Sequence, residues 1–250
     1  MQKNQYIYDK VLVLSDNKYI AEGFIKIIDK YQIPLSNFSF FCSKEDFIID
    51  KIKFHKLSLK QNIDKIINEY NLLLSLHCLQ IIPSQIVNSL KCINIHPGFN
   101  PYNKGWFPHV FSIINGLPSG ASLHEIDEKI DNGPLINQKQ VPVYPYDTSL
   151  SLYERIINAE LELLDKNIIN ILSKNYNTIQ VDGGNYNTKE DYEKLCYINK
   201  DEITTLGKAI DKLRALSHGD YKNAYFIDEN TGNKIYVKIE LFKDDEPSNK

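Results

Sequence analysis

The sequence predicts an α/β fold built on a mainly parallel β-sheet. Short apolar runs alternate with longer segments whose apolar residues are spaced like one face of a helix. A strand–helix–strand order of this kind produces parallel strands joined by crossover helices. The 250 residues are enough for one large α/β domain and a small appendage.

The first part of the chain supplies the alternation on which this prediction depends. Residues 11–14 form an apolar run that ends at a polar stretch, as expected for a buried parallel strand that runs into a loop. In the next segment, Ile20, Phe24 and Ile27 recur at helical spacing. The same reading predicts further strands at Phe38–Cys42, Leu72–Leu76 and 91–95, and helices at 19–31, 57–70 and 83–90.

A long irregular stretch, residues 97–108, follows the strand at 91–95. It is rich in Gly, Pro and Asn and contains the single tryptophan, Trp106. Long loops without regular structure inside a compact domain are usually functional. Beyond it the sequence predicts strands at 120–126 and 135–143, a capped helix at 150–172, a helix at Leu206–Leu216, and a hairpin of residues 223–227 and 234–241.

These elements divide the chain into four parts. We predict a core over residues 1–172 and a linker or surface excursion over 173–205. A small C-terminal helix and β-hairpin region follows over 206–242, and residues 243–250 form a flexible tail.

Composition and missing motifs exclude several function classes. The net charge is −3, and the basic residues include only two arginines, Arg155 and Arg214, so we expect no nucleic-acid partner. The apolar runs are too short to span a membrane, and the N-terminus lacks the apolar segment of a signal peptide. Four widely separated cysteines fit free thiols in a reducing cytoplasm. Signatures of dinucleotide binding, the P-loop and the serine-hydrolase elbow are absent.

Asn94, His96 and Asp131 are the candidate catalytic residues. Asn94 and His96 are two residues apart at a predicted strand end, so they point to the same side at the edge where α/β sheets bind ligands. The histidine can accept the proton of an attacking amine, and the amide can donate to a developing oxyanion. The carboxylate of Asp131 can orient the imidazole.

Each of these residues has a structural alternative when it is taken alone. An isolated histidine at a strand end is more often structural than catalytic, and Asp131 stands in an Asp-Asn-Gly-Pro stretch that is typical of a turn. A zinc site near Cys78 and Cys92 is disfavoured because no Cys-x-x-Cys spacing is present, so we expect no metal.

Five features together resemble the folate-dependent formyltransferases. They are an Asn-x-His-Pro motif, a Gly/Pro/Asn-rich loop, His-x-x-Asp at 124–127, Asp-x-Gly-Pro at 131–134 and a long helix that follows. The resemblance covers roughly residues 72–164 and implies a Rossmann-like core in which an Asn, a His and an Asp are catalytic. This sequence matches the three at Asn94, His96 and Asp131.

The stretches 96–106 and 213–218 look like the sugar N-formyltransferase branch of that family. The resemblance implies N10-formyltetrahydrofolate as the formyl donor, no metal, and a homodimer. It also implies a dTDP-linked amino-dideoxysugar as the acceptor. The nearest resemblance is to enzymes that use dTDP-4-amino-4,6-dideoxyglucose to make lipopolysaccharide O-antigen.

The resemblance also indicates which residues contact the two substrates. Those expected to bind the pterin are His77, Cys78, Leu79, Ile81, Glu125, Ile126 and Asp127. Those expected to bind the nucleotide are Lys104, Trp106, Arg214, Tyr221 and Tyr225. The family often has arginine near Lys104, and the two tyrosines fit packing in the C-terminal hairpin as well as base stacking.

Three other functions fit the same residues. A formyltetrahydrofolate hydrolase would use water in place of the amine, and a formyltransferase could act on another small amine. A non-catalytic binder of the folate or the sugar nucleotide is the third, which the complete set of Asn94, His96 and Asp131 disfavours. The sequence does not fix the configuration of the sugar or the position of its amino group.

Overall fold

The computed structural model describes residues 6–244. It contains both the mainly parallel sheet and the helices that the sequence predicts. The strands are β1 (Val11–Ser15), β2 (Phe38–Cys42), β3 (Phe47–Ile49), β4 (Ile52–Lys56), β5 (Leu72–Leu76), β6 (Lys91–His96), β7 (Lys104–Gly105), β8 (Gly120–Glu125), β9 (Leu135–Gln140), β10 (Tyr186–Asn187), β11 (Tyr225–Ile227) and β12 (Lys234–Tyr236). The α-helices are α1 (Lys18–Lys30), α2 (Ile63–Glu69), α3 (Ser84–Val87), α4 (Pro108–Asn115), α5 (Ser149–Leu172), α6 (Lys189–Cys196) and α7 (Leu206–Leu216).

The main sheet has the strand order β3-β4-β2-β1-β5-β6-β8-β9. Strands β4, β2, β1, β5 and β6 pair in parallel, whereas β3, β8 and β9 pair antiparallel with their neighbours. The carboxyl ends of β1, β5 and β6 therefore meet at one edge, as the prediction of a ligand site at the end of β6 requires.

Helices cover both faces of the parallel part of the sheet. On one face Val13 and Ile95 belong to the same buried cluster as Ile156 of α5. On the other face Leu12 packs in a second cluster with Ile86 of α3. Because successive residues of a strand point to opposite faces and both faces are covered, β1 and β5 are buried throughout, and each has a single polar residue, a serine, instead of alternating apolar and polar residues.

Several elements differ from the sequence prediction. The helices expected at 57–70 and 83–90 are shorter, since α2 begins at Ile63 and α3 is a single turn. The hairpin of β3 and β4 and the helices α4 and α6 were not predicted. These elements have eight residues or fewer, which is too short to give a clear period in the sequence.

In the C-terminal region, α7 has its predicted bounds, and β11 and β12 form the predicted antiparallel hairpin with shorter strands. The segment predicted as a linker includes α6 and β10, which pairs with β7. The domain boundaries at 172 and 205 stay predictions. The predicted flexible tail falls mostly on residues 245–250, outside the described residues. None of the helices described between residues 6 and 244 has the length and apolar character needed to cross a membrane.

Candidate active site

The end of β6 carries Asn94 and His96 to the edge of the sheet. The antiparallel register of β6 and β8 pairs Asn94 with His124 and His96 with Ser122. Asp131 lies in the turn between β8 and β9, where its φ of 49° is in the left-handed region. That conformation is tolerated by aspartate better than by most residues and turns the chain back toward β6.

The structure brings the three predicted catalytic residues together. His96 Nδ1 lies 3.5 Å from Asp131 Oδ2, and Asn94 Nδ2 donates to Asp131 Oδ1 over 3.4 Å. The backbone amide of Gly105 donates to Asp131 Oδ2 over 3.1 Å, and Asn100 Nδ2 donates to the Asp131 carbonyl over 2.9 Å. The irregular stretch predicted at 97–108 therefore holds the carboxylate in place.

The surroundings of the pair keep His96 neutral and Asp131 ionised. Burial lowers the pKa of His96 to about 4, against the attraction of Asp131. Burial opposes the charge of Asp131, but His96, His124 and the Gly105 amide overcome this and lower the pKa of Asp131. At neutral pH the site thus holds an uncharged imidazole beside a carboxylate. Within the described residues, the buried His96 Nε2 has no hydrogen-bond partner.

His124 is a further member of the site, which the sequence pattern alone does not identify. Its Nε2 lies 3.3 Å from Asn94 Nδ2 and 3.6 Å from Asp131 Oδ1. Its Nδ1 donates to the Glu125 carbonyl over 2.7 Å, which leaves Nε2 as the acceptor for Asn94. His124 therefore orients the amide of Asn94. The signal for this role was its cross-strand position, which only the antiparallel register of β8 reveals.

Gly98 leaves space for the ring of His96. A Cβ added at this glycine would collide with His96 Nε2. The glycine in the Asn-x-His-Pro-Gly stretch thus lets the loop pass directly beside the buried Nε2.

The residues predicted to bind the pterin fall into two groups. In the loop after β5, Leu79 and Ile81 are exposed, while Cys78 Sγ lies 3.5 Å from Ser43 Oγ. The ring of His77 differs from this expectation, because its Nε2 contacts the buried carboxylate of Glu160 at 2.8 Å.

At the end of β8, polar side chains already have partners within the protein. Glu125 accepts from the Tyr176 hydroxyl over 2.9 Å and pairs with Lys91 Nζ at 2.8 Å. Asp127 accepts from the amide of Lys129, and Ile126 packs against the second core cluster. Their assignment to the folate stays a prediction.

Three of the residues predicted to bind the nucleotide lie outside the main sheet and the α-helices. Lys104 and Trp106 belong to the stretch that follows β6, and Tyr221 follows α7. Lys104 Nζ donates to Oδ1 of Asn132, the residue after Asp131, over 3.2 Å. Trp106 and Tyr221 are exposed, and the Tyr221 ring lies 5.7 Å from that of His218. These side chains have the accessibility that ligand contact needs, and their roles stay predictions.

Arg214 and Tyr225 are placed differently from the expectation. Arg214 is buried, and its guanidinium donates to the carbonyls of Tyr144 and Asp147 at 3.1 and 3.0 Å. Tyr225 packs within the hairpin, 6.0 Å from the ring of Tyr236. The Arg214 guanidinium thus already has two backbone partners in the interior, and the assignment of both residues to the nucleotide stays a prediction.

Over residues 6–244 there is no group of three or more His, Cys, Asp or Glu side chains placed to hold a metal ion.

Comparison with known proteins decides the family. The family described as "Formyl transferase" matches residues 4–168. The chain belongs to this family. A second match, to the "N-formyltransferase dimerization C-terminal domain", covers residues 191–243. The predicted formyltransferase resemblance is confirmed.

Individual relatives place this formyltransferase in the sugar N-formyltransferase branch. A Mycobacterium tuberculosis protein named dTDP-4-amino-4,6-dideoxyglucose formyltransferase is 39% identical over 74% of this chain and 80% of its own. The structure of a 4-N formyltransferase from Francisella tularensis is 41% identical, with a TM-score of 0.85 over 94% of this chain and 98% of that one. The structure of WlaRD, a sugar 3N-formyl transferase in the presence of dTDP and 5-N-formyl-THF, is 26% identical, with a TM-score of 0.70 over 88% of this chain and 83% of that one. The predicted formyltransferase fold is confirmed.

Proposed function

We propose that the enzyme transfers the formyl group of N10-formyltetrahydrofolate to the 4-amino group of dTDP-4-amino-4,6-dideoxyglucose. One observation carries the proposal: a neutral, buried His96 and the amide of Asn94 converge on the carboxylate of Asp131 at the end of β6. The similarity to the mycobacterial relative and to the 4-N formyltransferase supports the choice of sugar and amino position.

His96 is the proton acceptor in this proposal. Its Nδ1 faces Asp131 Oδ2, so the proton of the neutral ring resides on Nδ1 and the lone pair on Nε2. The sugar amine loses a proton to Nε2 as it attacks the formyl carbon, and Asp131 stabilises the imidazolium that forms. His96 then returns the proton to the leaving nitrogen.

Asn94 stabilises the negative oxygen that develops on the attacked carbonyl. Its contacts to Asp131 and His124 are 3.4 and 3.3 Å long, beyond the usual range, so they orient the amide without fully occupying its hydrogens. An oxyanion donor held in this way contributes about 100- to 1000-fold in rate.

The residues around the edge of the sheet fit a folate donor, whose chemical contribution is the formyl group itself. Leu79 and Ile81 expose apolar side chains at the loop after β5, and Cys78 and Ile126 pack at the rim of the neighbouring core cluster. These surfaces suit the flat pterin ring. The structural relative that contains 5-N-formyl-THF supports this assignment.

We infer further that the enzyme is a cytoplasmic homodimer that serves O-antigen synthesis. The match to the dimerization domain over residues 191–243 supports the dimer. The free cysteines Cys42, Cys78, Cys92 and Cys196 among the described residues fit a reducing compartment. The place in O-antigen synthesis depends on the sugar, and identification of the formylated product tests it.

The decisive experiment incubates the enzyme with N10-formyltetrahydrofolate and dTDP-4-amino-4,6-dideoxyglucose and follows the sugar by mass spectrometry. We expect a product heavier by one formyl group. His96→Asn should remove the activity, whereas His55→Asn should retain it, because His55 is an exposed histidine on β4 with a partner, Asp46, outside the site.

Other outcomes of the same experiment separate the alternatives. Formylation only of the 3-amino or galactose-configured isomer would contradict the proposed sugar while the transfer chemistry stands. Release of formate without any amine acceptor would identify a formyltetrahydrofolate hydrolase and overturn the proposed function.

A further inference from the structure

A second histidine–carboxylate pair lies at the same edge of the sheet as His96 and Asp131. His77 follows β5, and its Nε2 lies 2.8 Å from both carboxylate oxygens of Glu160 on α5. The side chain of Glu160 is fully buried, while 11% of the His77 side chain is exposed. A carboxylate removed from water in this way needs a donor or a cation beside it, and His77 supplies that partner.

The surroundings of His77 fix which ring nitrogen carries the proton. The Oδ1 of Asn17 accepts two backbone amides at the start of α1, so its Nδ2 is the atom that faces His77. Asn17 Nδ2 lies 3.4 Å from His77 Nδ1 and 3.2 Å from the Tyr153 hydroxyl. Nδ1 therefore faces a donor and holds the lone pair, while Nε2 donates its proton to Glu160.

Strand register places the two histidines side by side. Leu76 of β5 pairs with Ile95 of β6, so His77, which directly follows β5, comes close to His96, the last residue of β6. Such strands lie about 4.8 Å apart. Two imidazoles, each backed by a carboxylate, thus flank the point at which the strands end.

The proposed formylation requires two proton acceptors. A primary amine is mainly an ammonium ion at neutral pH. Its nitrogen must lose one proton before it can attack and another to form the amide. His96 transfers the second to the leaving nitrogen, which leaves the first without an assigned acceptor.

We propose that His77 Nδ1 accepts the first proton, from the ammonium group of the bound amino sugar. The N–H bond of the ammonium breaks and its electron pair stays on the nitrogen, which becomes the nucleophile. An Nδ1–H bond forms, and the resulting imidazolium pairs with the carboxylate of Glu160. Glu160 acts as a positioning residue through His77. This inference rests on the proposed function.

The other titratable groups around His77 are compatible with this step. The hydroxyl of Tyr153 on α5 lies 3.4 Å from His77 Nδ1, and burial raises the pKa of Tyr153 to about 12, so it stays neutral. His96 on β6 and His109 on α4 are also neutral, because burial lowers their pKa values to about 4 and about 3. Burial raises the pKa of the Glu160 carboxyl, and the contact with His77 opposes that rise, so Glu160 is the acidic group paired with His77.

The pH dependence of kcat/KM for the amino sugar tests the role of His77. With His77→Asn we expect a fall of about 100-fold near pH 7. The difference in kcat/KM between the variant and the wild type should become smaller as pH rises toward the pKa of the free amine. At such pH the amino sugar is already unprotonated in solution and needs no acceptor for its first proton. Glu160→Gln should lower kcat/KM near pH 7 by a smaller factor, and this loss should also shrink as pH rises. The surface variant His55→Asn should have the kcat/KM of the wild type at every pH.

Two results would overturn the role of His77: an unchanged rate near pH 7, or a loss by the same factor at every pH. Wild-type enzyme that forms no product at any pH would instead contradict the proposed function and this role with it. A further measurement uses the wild-type protein and so does not depend on the folding of a variant. Nitrogen-15 NMR of the histidine rings should find Nε2 of His77 protonated and Nδ1 unprotonated, and the opposite tautomer would refute the assignment.

Discussion

At the scale of single residues, Gly98 sets the position of the His96 ring. An added methyl group would collide with His96 Nε2 and Cδ2 and would lie 3.3 Å from the Cβ of Pro108. We expect Gly98→Ala to lower kcat by about 10- to 100-fold, because a displacement near 1 Å at a reacting group has effects of this size.

Gly207 in α7 provides the matched control for this variant. A Cβ at Gly207 meets no atom within 4 Å, so Gly207→Ala should retain full activity. Steady-state kinetics of both variants measure kcat, and thermal unfolding checks that both are folded. A Gly98→Ala enzyme with normal kcat would mean that His96 does not need its observed position.

His109 makes the stability of the protein depend on pH. Its ring packs 4.9 Å from that of Tyr153, and burial lowers its pKa to about 3. The unfolded chain takes up a proton at this residue below pH 6.5 and the folded chain does not, so stability present at higher pH is lost as pH falls. At pH 5.5 the loss is about 1.4 kcal/mol.

The variant His109→Phe removes this titration. We expect its free energy of unfolding in urea to fall less between pH 7 and pH 5 than that of the wild type. His96 remains in both proteins, so part of the acid sensitivity should persist. Parallel curves for the two proteins would contradict the buried, neutral state of His109.

The catalytic residues could be predicted from sequence because strand spacing and turn chemistry identify them locally. Asn94 and His96 share one strand, and Asp131 stands in a recognisable turn. His124 and Glu160 could not be assigned in this way. Their partners are 30 and 83 residues distant in sequence, and only the pairing of β8 with β6 and the packing of α5 bring them together.

At the scale of elements, the first turn of α5 stabilises the helix that carries Tyr153 and Glu160. Thr148 Oγ1 accepts the Ser151 amide, and Ser151 Oγ accepts the Thr148 amide in return. We expect Thr148→Ala to lower the free energy of unfolding by about 1 kcal/mol. Thr148→Ser should restore most of it, and equal stability of all three proteins in urea would show that the cap is dispensable.

Helix prediction succeeded where apolar residues repeat over several turns and failed for short helices. α1 and α5 have 13 and 24 residues, and their buried faces define the period. α6 has a single buried residue, Cys196, so it carries little hydrophobic signal. Its capping box of Thr188 and Asp191 was nevertheless visible in the sequence and was the one cue that could have located it.

At the scale of the whole molecule, apolar side chains of the C-terminal region remain exposed in the single chain. Ile203 and Leu206 are 102% and 77% exposed, within the segment that matches the dimerization domain. We expect the double variant Ile203→Glu and Leu206→Glu to shift the proposed dimer to monomer in sedimentation velocity, because charges oppose burial in an interface.

An exposed residue elsewhere supplies the control for this experiment. Ile48 on β3 is 66% exposed and lies outside the matched segment, so Ile48→Glu should leave the dimer intact. A dimer that survives the double variant would place the interface away from the start of α7.

A cluster of uncharged amides fastens the loop beside the active site. Asn103 is almost fully buried. Its backbone amide donates to Asn185 Oδ1 over 2.8 Å, and its side-chain Oδ1 accepts from Asn115 Nδ2 over 2.7 Å. Dissolved salt weakens attractions between charges, but the hydrogen bonds in this cluster join uncharged groups. The loop that holds Asp131 should therefore keep its position as ionic strength increases, while the predicted attraction between Lys104 and the anionic sugar nucleotide declines. Added potassium chloride should raise KM for the sugar nucleotide and leave kcat nearly constant.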